Sequence, residues 1–209
     1  MERHLTIKRI QGAILTLPDG QQITVTKLGQ GRFSTAWKNG TAVYVQTHEK
    51  DRAKEIMSKW LCDVPHLPDV EHLDTVGIWE WYKMPLYSPL TAKSGKAWTD
   101  FKALKLAREN AEKAVPFVYD KANHERWRRI NEAFVDQVES TPSIEHYGET
   151  VRALVDACAM YGDGWFIEPL QKRNCVVGLS GELILLDPIF DINLLEEERQ
   201  AARKRRPQW

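Results

Sequence analysis

The chain has 209 residues, 43% hydrophobic and 28% charged, which is enough for one sizeable domain or two small lobes around a cleft. Its 29 basic and 29 acidic side chains cancel, which argues against a global attraction to nucleic acid or to a membrane surface. Cys62, Cys158 and Cys175 are an odd number without paired spacing, which fits a reducing cytoplasm better than a disulfide-built secreted domain. No signal-peptide pattern follows Met1, and no apolar run approaches the roughly 20 residues of a bilayer span, so the expected location is the cytoplasm.

The first 46 residues read as β structure. Residues 13–17 end at the turn Pro18-Asp19-Gly20, and residues 22–26 alternate polar and apolar side chains. The dipeptide Asn39-Gly40 between residues 34–37 and 41–45 is a strong hairpin signal. A helix is expected over 49–61, with Ala53, Ile56, Met57 and Trp60 on its apolar face. A strand over 78–84 stops at Pro85. Beyond the polar stretch 91–95 the pattern turns helical, with Trp98, Phe101 and Leu104 on one face and, later, Trp127, Ile130, Phe134 and Val138 on another. Thr141-Pro142 suits a helix start, and Val151, Leu154, Val155, Cys158 and Ala159 form a buried stripe after it. Two short strands, 175–177 and 183–186, flank a turn at 179–182, and a charged helix is expected over 196–206.

Between two of the predicted strands lies Leu28-Gly29-Gln30-Gly31-Arg32-Phe33-Ser34. Glycines at such a turn let backbone N–H groups approach phosphate closely. Strand, glycine loop, strand Val43-Tyr44-Val45-Gln46 and a helix carrying Glu55 follow in the order of the protein-kinase N-lobe, whose third strand reads V-A-I-K. The loop over 28–37 resembles that of kinase-like proteins of tailed bacteriophages and, more distantly, of protein kinases at large. The resemblance implies a two-lobed α+β protein-kinase-like fold. A small β-rich N-lobe would span 1–88, a connector 89–95, a reduced and mainly helical C-lobe with a β-hairpin 96–192, and a charged helix or tail 193–209. It also implies nucleotide-binding positions at Gly29, Gly31, Ser34 (where a third glycine would stand), Gln46 and Glu55, and Mg²⁺-binding positions at Asn174 and Asp187, with Asp187-Pro188-Ile189 in place of D-F-G.

Three departures bear on activity. Gln46 replaces the strand lysine that neutralises phosphate charge. Pro169 stands five residues before Asn174, where the resemblance places a catalytic aspartate; its neighbour Glu168 is offset by one. Tyr44 replaces the small alanine that packs on adenine and, by strand alternation, shares a face with Gln46. Glu168 and Lys38 are the candidates to supply the missing groups. The chain ends about twenty residues after Asp187 and has no A-P-E match.

The leading expectation is therefore a catalytically impaired kinase-like protein of a bacteriophage that works by binding a protein of its bacterial host, with no cofactor. The alternative is a divergent transferase of phosphoryl or nucleotidyl groups that uses Mg²⁺ and ATP. A third, nucleic-acid binding through the basic end at 203–206, is opposed by the neutral net charge and by a charge order that suits the helix dipole. For protein binding, the aromatic segment 79–87 offers Trp81 and Tyr87 as anchors. Cys62, His66 and His72 match no zinc spacing, and His124 and His146 have no evident nucleophile partner.

Overall fold

A seven-stranded antiparallel sheet takes up most of the N-terminal half before helices take over, giving a mixed α+β protein. The computed structural model describes residues 7–9, 13–17, 20–116, 124–168 and 170–204. Chain contacts divide it into two units, Met1–Cys62 with Pro68–Leu86, and Asp63–Leu67 with Tyr87–Trp209.

The first unit contains β1 (Ile7–Arg9), β2 (Ala13–Thr16), β3 (Gln22–Gln30), β4 (Ser34–Asn39), β5 (Ala42–His48), α1 (Ala53–Trp60), β6 (Glu71–Val76) and β7 (Trp79–Pro85). The sheet order is β1-β2-β3-β4-β5-β7-β6. Gly40 and Gly77 take φ of 54° and 63° in the tight β4–β5 and β6–β7 turns, a left-handed conformation that favours glycine. Pro18 and Asp19 of the expected first turn lie outside the described residues.

The two faces of this sheet differ. On one, Leu15, Val25, Trp37, Tyr44 and Trp81 form a buried apolar cluster. Trp37 and Trp81 sit two strands apart, about 10 Å in a flat sheet, yet their rings stack with centroids 5.4 Å apart, as a curled sheet permits. The other face carries Val43, Val45, Thr47, Tyr82 and Met84, with Val43 opposite Met84 and Val45 opposite Tyr82. Helix α1 belongs to this second face: the Tyr82 phenol lies within the field of Glu55, Asp51 and Arg52, and Thr47 Oγ1 donates to Asp51 at 3.4 Å. Ala53, Ile56 and Met57 are buried as the helical spacing predicts, but Trp60, the last residue of the helix, is 55% exposed while Leu61 after it is buried.

The second unit contains β8 (Ser88–Pro89), α2 (Gly95–Ala114), α3 (His124–Glu139), a 3₁₀ turn (Glu145–Tyr147) and α4 (Gly148–Tyr161). It continues with β9 (Trp165–Ile167), a 3₁₀ turn (Lys172–Asn174), β10 (Cys175–Val177), β11 (Leu183–Leu185), β12 (Ile189–Asp191) and α5 (Ile192–Lys204). Strands β11, β10 and β8 form one antiparallel sheet, and β12 pairs with β9. Apolar faces of α2, α3 and α4 make the core, through Phe101, Leu104, Ile130, Phe134, Val138, Val151 and Leu154.

Three sequence expectations shift here. Thr141 does not open a helix; its hydroxyl donates to the Gln137 carbonyl at 2.7 Å, closing α3, and α4 begins at Gly148. The buried stripe of α4 is Val151, Leu154, Ala157 and Cys158, while Ala159 is exposed and, with Val155, lines a cavity of about 290 Å³. Helix α5 starts four residues before the expected 196, because Asp191 Oδ1 accepts from the Asn193 and Leu194 backbone N–H groups at 2.9 and 3.4 Å. Of the basic cluster, Arg205 and Arg206 lie outside the described residues. Among those described, no helix is long and apolar enough to cross a membrane.

Candidate functional site

In the strand-rich unit, the glycine segment is a short hairpin connection. Gly29 lies within β3 opposite Ala36, just past an irregularity in the strand register, and the Gly31 N–H donates to the Ser34 carbonyl at 2.8 Å. Arg32 and Phe33 form the tip, and the Phe33 carbonyl accepts from the His48 N–H at 3.0 Å, fastening the tip to the end of β5. Neither Gly29 nor Gly31 has a positive φ, and a Cβ at Gly29 would meet no atom within 4 Å. At Gly31 a Cβ would come within 3.3 Å of the Ser34 hydroxyl oxygen. The fold itself therefore does not require glycine at 29.

Strand β5 supplies Tyr44 and Gln46 to one face, as alternation predicts, but that face is the one away from α1. Tyr44 is 6% exposed and forms part of the tryptophan cluster; Gln46, half-buried, lies opposite Trp81. Glu55 is on α1, beside the other face, and its carboxylate is taken by Arg52 Nε and Lys59 Nζ, each at 2.8 Å. The Arg52 hydrogen bond, aided by Lys59 against partial burial, holds its pKa down at about 2. The structure does not bring Gln46 and Glu55 together. Lys38 sits opposite Thr26 and Val43 next to the Asn39-Gly40 turn, and it is exposed. The α1-side residues of β5 are Val43, Val45 and Thr47, so this strand gives α1 no cation.

The helical unit gathers its expected residues better. The Leu186 N–H donates to the Asn174 carbonyl at 2.8 Å, closing the base of the β10–β11 hairpin and setting Asn174 beside the segment that ends in Asp187. The Glu168 N–H donates to the Pro188 carbonyl at 2.8 Å, extending the β9–β12 pairing by one residue. Glu168, Asn174 and Asp187 consequently line one pocket with Gln171, Pro188, Leu185, Phe134 and Leu154. Two carboxylates and a carboxamide are hard oxygen donors of the kind Mg²⁺ takes. Next to Asn174, the Cys175 thiol is buried, and that burial, with Glu168 adding to it, pushes its pKa up to about 12. Pro169 lies outside the described residues.

Sequence reading missed the residue beneath this pocket. Arg108, on α2, is 2% exposed. Its Nη2 donates to the Ile167 carbonyl at 3.3 Å, its Nη1 to Asn131 Oδ1 at 3.1 Å and its Nε to Glu112 at 3.2 Å. The guanidinium carbon lies 5.5 Å from the Phe134 ring centroid and 5.7 Å from that of Trp127. The available signal was its place in register with Phe101, Leu104 and Ala111 on the apolar face of α2, a position where a charged side chain needs partners.

A second polar cluster in this unit surrounds His66. His66 has φ of 60°, its ring lies 4.1 Å from that of Tyr147, and its Nδ1 is buried without a partner. The Tyr147 hydroxyl donates to Asp100 at 2.9 Å, and Lys96 reaches the same carboxylate. Of the expected docking anchors, Trp81 is only 2% exposed and stacked in the core, so it presents no surface; Tyr87 is half-buried. The exposed apolar side chains of that region are Ile78 and Trp79, at 48% and 37%.

No family model and no curated protein matches the chain. Among solved structures it is similar to WbdD in complex with the kinase inhibitor LY294002, at 13% identity and a TM-score of 0.35, over 90% of this chain and 39% of that one. It is also similar to a thermostable mutant of the aminoglycoside phosphotransferase APH(4)-Ia in ternary complex with AMP-PNP and hygromycin B, at 13% identity and a TM-score of 0.35, over 90% and 80% of the two chains. An aminoglycoside phosphotransferase from Alicyclobacillus acidocaldarius matches at 14% identity and a TM-score of 0.31, over 85% and 67%. The chain thus spans about two fifths of the length of WbdD.

Proposed function

We propose that this chain is a divergent kinase-like protein whose helical unit holds a divalent cation, and with it a nucleotide phosphate, but whose phosphoryl transfer is impaired. The observation that carries this reading is that Glu168, Asn174 and Asp187 line one small pocket of that unit, of about 10 Å³. Asp187 and Asn174 would hold the ion, with the Glu168 carboxylate beside them. A bound Mg²⁺ supplies positive charge to phosphate oxygens. The impairment is read from β5 itself, whose residues Ala42–His48 carry Gln46 and no lysine to neutralise phosphate charge.

The test is Mn²⁺ or Mg·ATP titration followed by calorimetry and thermal shift, on wild type and Asp187→Asn. Expected are binding and a raised melting temperature in wild type, both lost in the variant, without measurable turnover. A wild-type protein that millimolar Mn²⁺ neither binds nor stabilises overturns the reading. A second function, binding of a protein partner, is favoured by the exposed Ile78 and Trp79 at the β6–β7 turn. It predicts that Trp79→Ala, and not the core Trp81, separates partner binding from folding.

A further inference from the structure

We infer that Arg108 is a positioning residue for the proposed cation site; the inference rests on that reading of Glu168, Asn174 and Asp187. A guanidinium at 2% exposure is costly, and burial lowers its pKa, though from so high a value that it remains a cation. Of its three hydrogen-bond partners only Glu112 is charged, and that side chain is 35% exposed. The other two are neutral oxygens on different elements, Asn131 Oδ1 of α3 and the Ile167 carbonyl at the end of β9. A buried ionic group of this kind is weak evidence of stabilisation, since an apolar side chain of similar volume often does as well. What an apolar residue cannot do is hold two oxygens in a fixed fork.

The fork leads directly to the pocket. Ile167 immediately precedes Glu168, and both line the pocket, as does Phe134, whose ring lies under the guanidinium. Ile167 is paired with Ile189, and the Glu168 N–H is bonded to the Pro188 carbonyl, so a carbonyl fixed by Arg108 also fixes the backbone next to Asp187. Arg108 therefore touches neither metal nor phosphate. It sets where two of the oxygen donors stand, and outer-shell partners of metal ligands commonly matter 10–100-fold to affinity.

The experiment is a Mn²⁺ titration by electron paramagnetic resonance on wild type, Asp187→Asn, Arg108→Lys, Arg108→Met and Glu112→Gln, with a melting temperature for each. Arg108→Lys keeps the charge and loses the fork; it is expected to weaken Mn²⁺ binding about 10-fold or more, and to broaden the spectrum of the bound ion. Glu112→Gln keeps the fork and is expected to bind Mn²⁺ like wild type. Arg108→Met is expected to weaken binding at least as much as Arg108→Lys, whichever way its melting temperature moves. If wild type binds no Mn²⁺, the cation reading itself fails. If wild type binds, Asp187→Asn does not, and folded Arg108→Lys binds with wild-type affinity and spectrum, the cation site stands and the role given to Arg108 is overturned.

Discussion

Replacing Trp81 by alanine tests the register that stacks Trp81 on Trp37 in the strand-rich unit. Trp81 is 2% exposed, stacked on Trp37 at 5.4 Å and surrounded by Tyr44, Val25 and Leu15. Truncating a buried tryptophan costs roughly 3–5 kcal/mol, of which the ring pair contributes about 0.5–1.5 kcal/mol. Trp79, two residues away on the same strand but 37% exposed, is expected to cost under about 1 kcal/mol. Tyr44→Ala is expected to resemble Trp81→Ala, at about 3 kcal/mol, because Tyr44 is 6% exposed within the same cluster. It is also expected to bring no gain in Mg·ATP binding, since it opens a hole in an apolar core. Native-state hydrogen exchange of the β4, β5 and β7 amides suits the measurement, because it reports the opening of this unit separately from the other. A Trp37–Trp81 double-mutant cycle then isolates the stacking energy. Trp79→Ala costing as much as Trp81→Ala, or Trp81→Ala costing less than about 1 kcal/mol, would overturn this register of β7.

Acid should weaken the helical unit through His66. Burial, with His146 and Lys96 adding to it against Glu182, lowers its pKa, so the unfolded chain binds the proton more readily; stability is full above about 6.5 and falls as pH drops toward the folded value. His66→Asn keeps a residue tolerant of φ near 60° while removing the titration, and should flatten that slope in pH-dependent urea unfolding. Glu55, whose pKa is held at about 2, contributes stability above its ordinary 4.5 that is lost only as pH falls through about 2; Glu55→Gln should abolish that lower window and leave the His66 one intact. Native protein should show one thiol reactive to Ellman's reagent, the exposed Cys62, because burial pushes Cys158 and Cys175 up to about 12; two or three fast thiols would contradict the packing.

Helices with a strong period were legible because one face of each is buried, as in the stripes of α2 and α3. The β4–β5 hairpin and the 175–177 and 183–185 strands were legible from the turns that join them, at Asn39-Gly40 and at 179–182. The strands that escaped notice are those without a usable period. β6, Glu71-His72-Leu73-Asp74-Thr75-Val76, is the edge of its sheet, where polar side chains such as Glu71 can serve an ion pair with Lys83 across the ladder. β9 and β12 have three residues each, too few for alternation to emerge, and every β9 side chain is buried.

The proximity of Asn174 and Asp187 was legible from their place in the chain. Asn174 and Asp187 bracket a hairpin, so local pairing alone puts them near one another, and sequence order is sufficient to foresee it. Gln46 and Glu55 depend on which side of β5 the helix α1 takes. Alternation shows that 44 and 46 share a face but is silent on which face is the helix's, because both faces of this strand are largely buried: Val43, Val45 and Thr47 on one, Tyr44 on the other. Nothing local settles that choice; long-range packing does, through Trp37 and Trp81 claiming the Tyr44 side and Ile56, Met57 and Tyr82 the opposite one. Arg108 escaped for a related reason. Its partners lie 23 and 59 residues away, on α3 and β9, so its worth to the pocket is a property of the assembled helices and of no segment on its own.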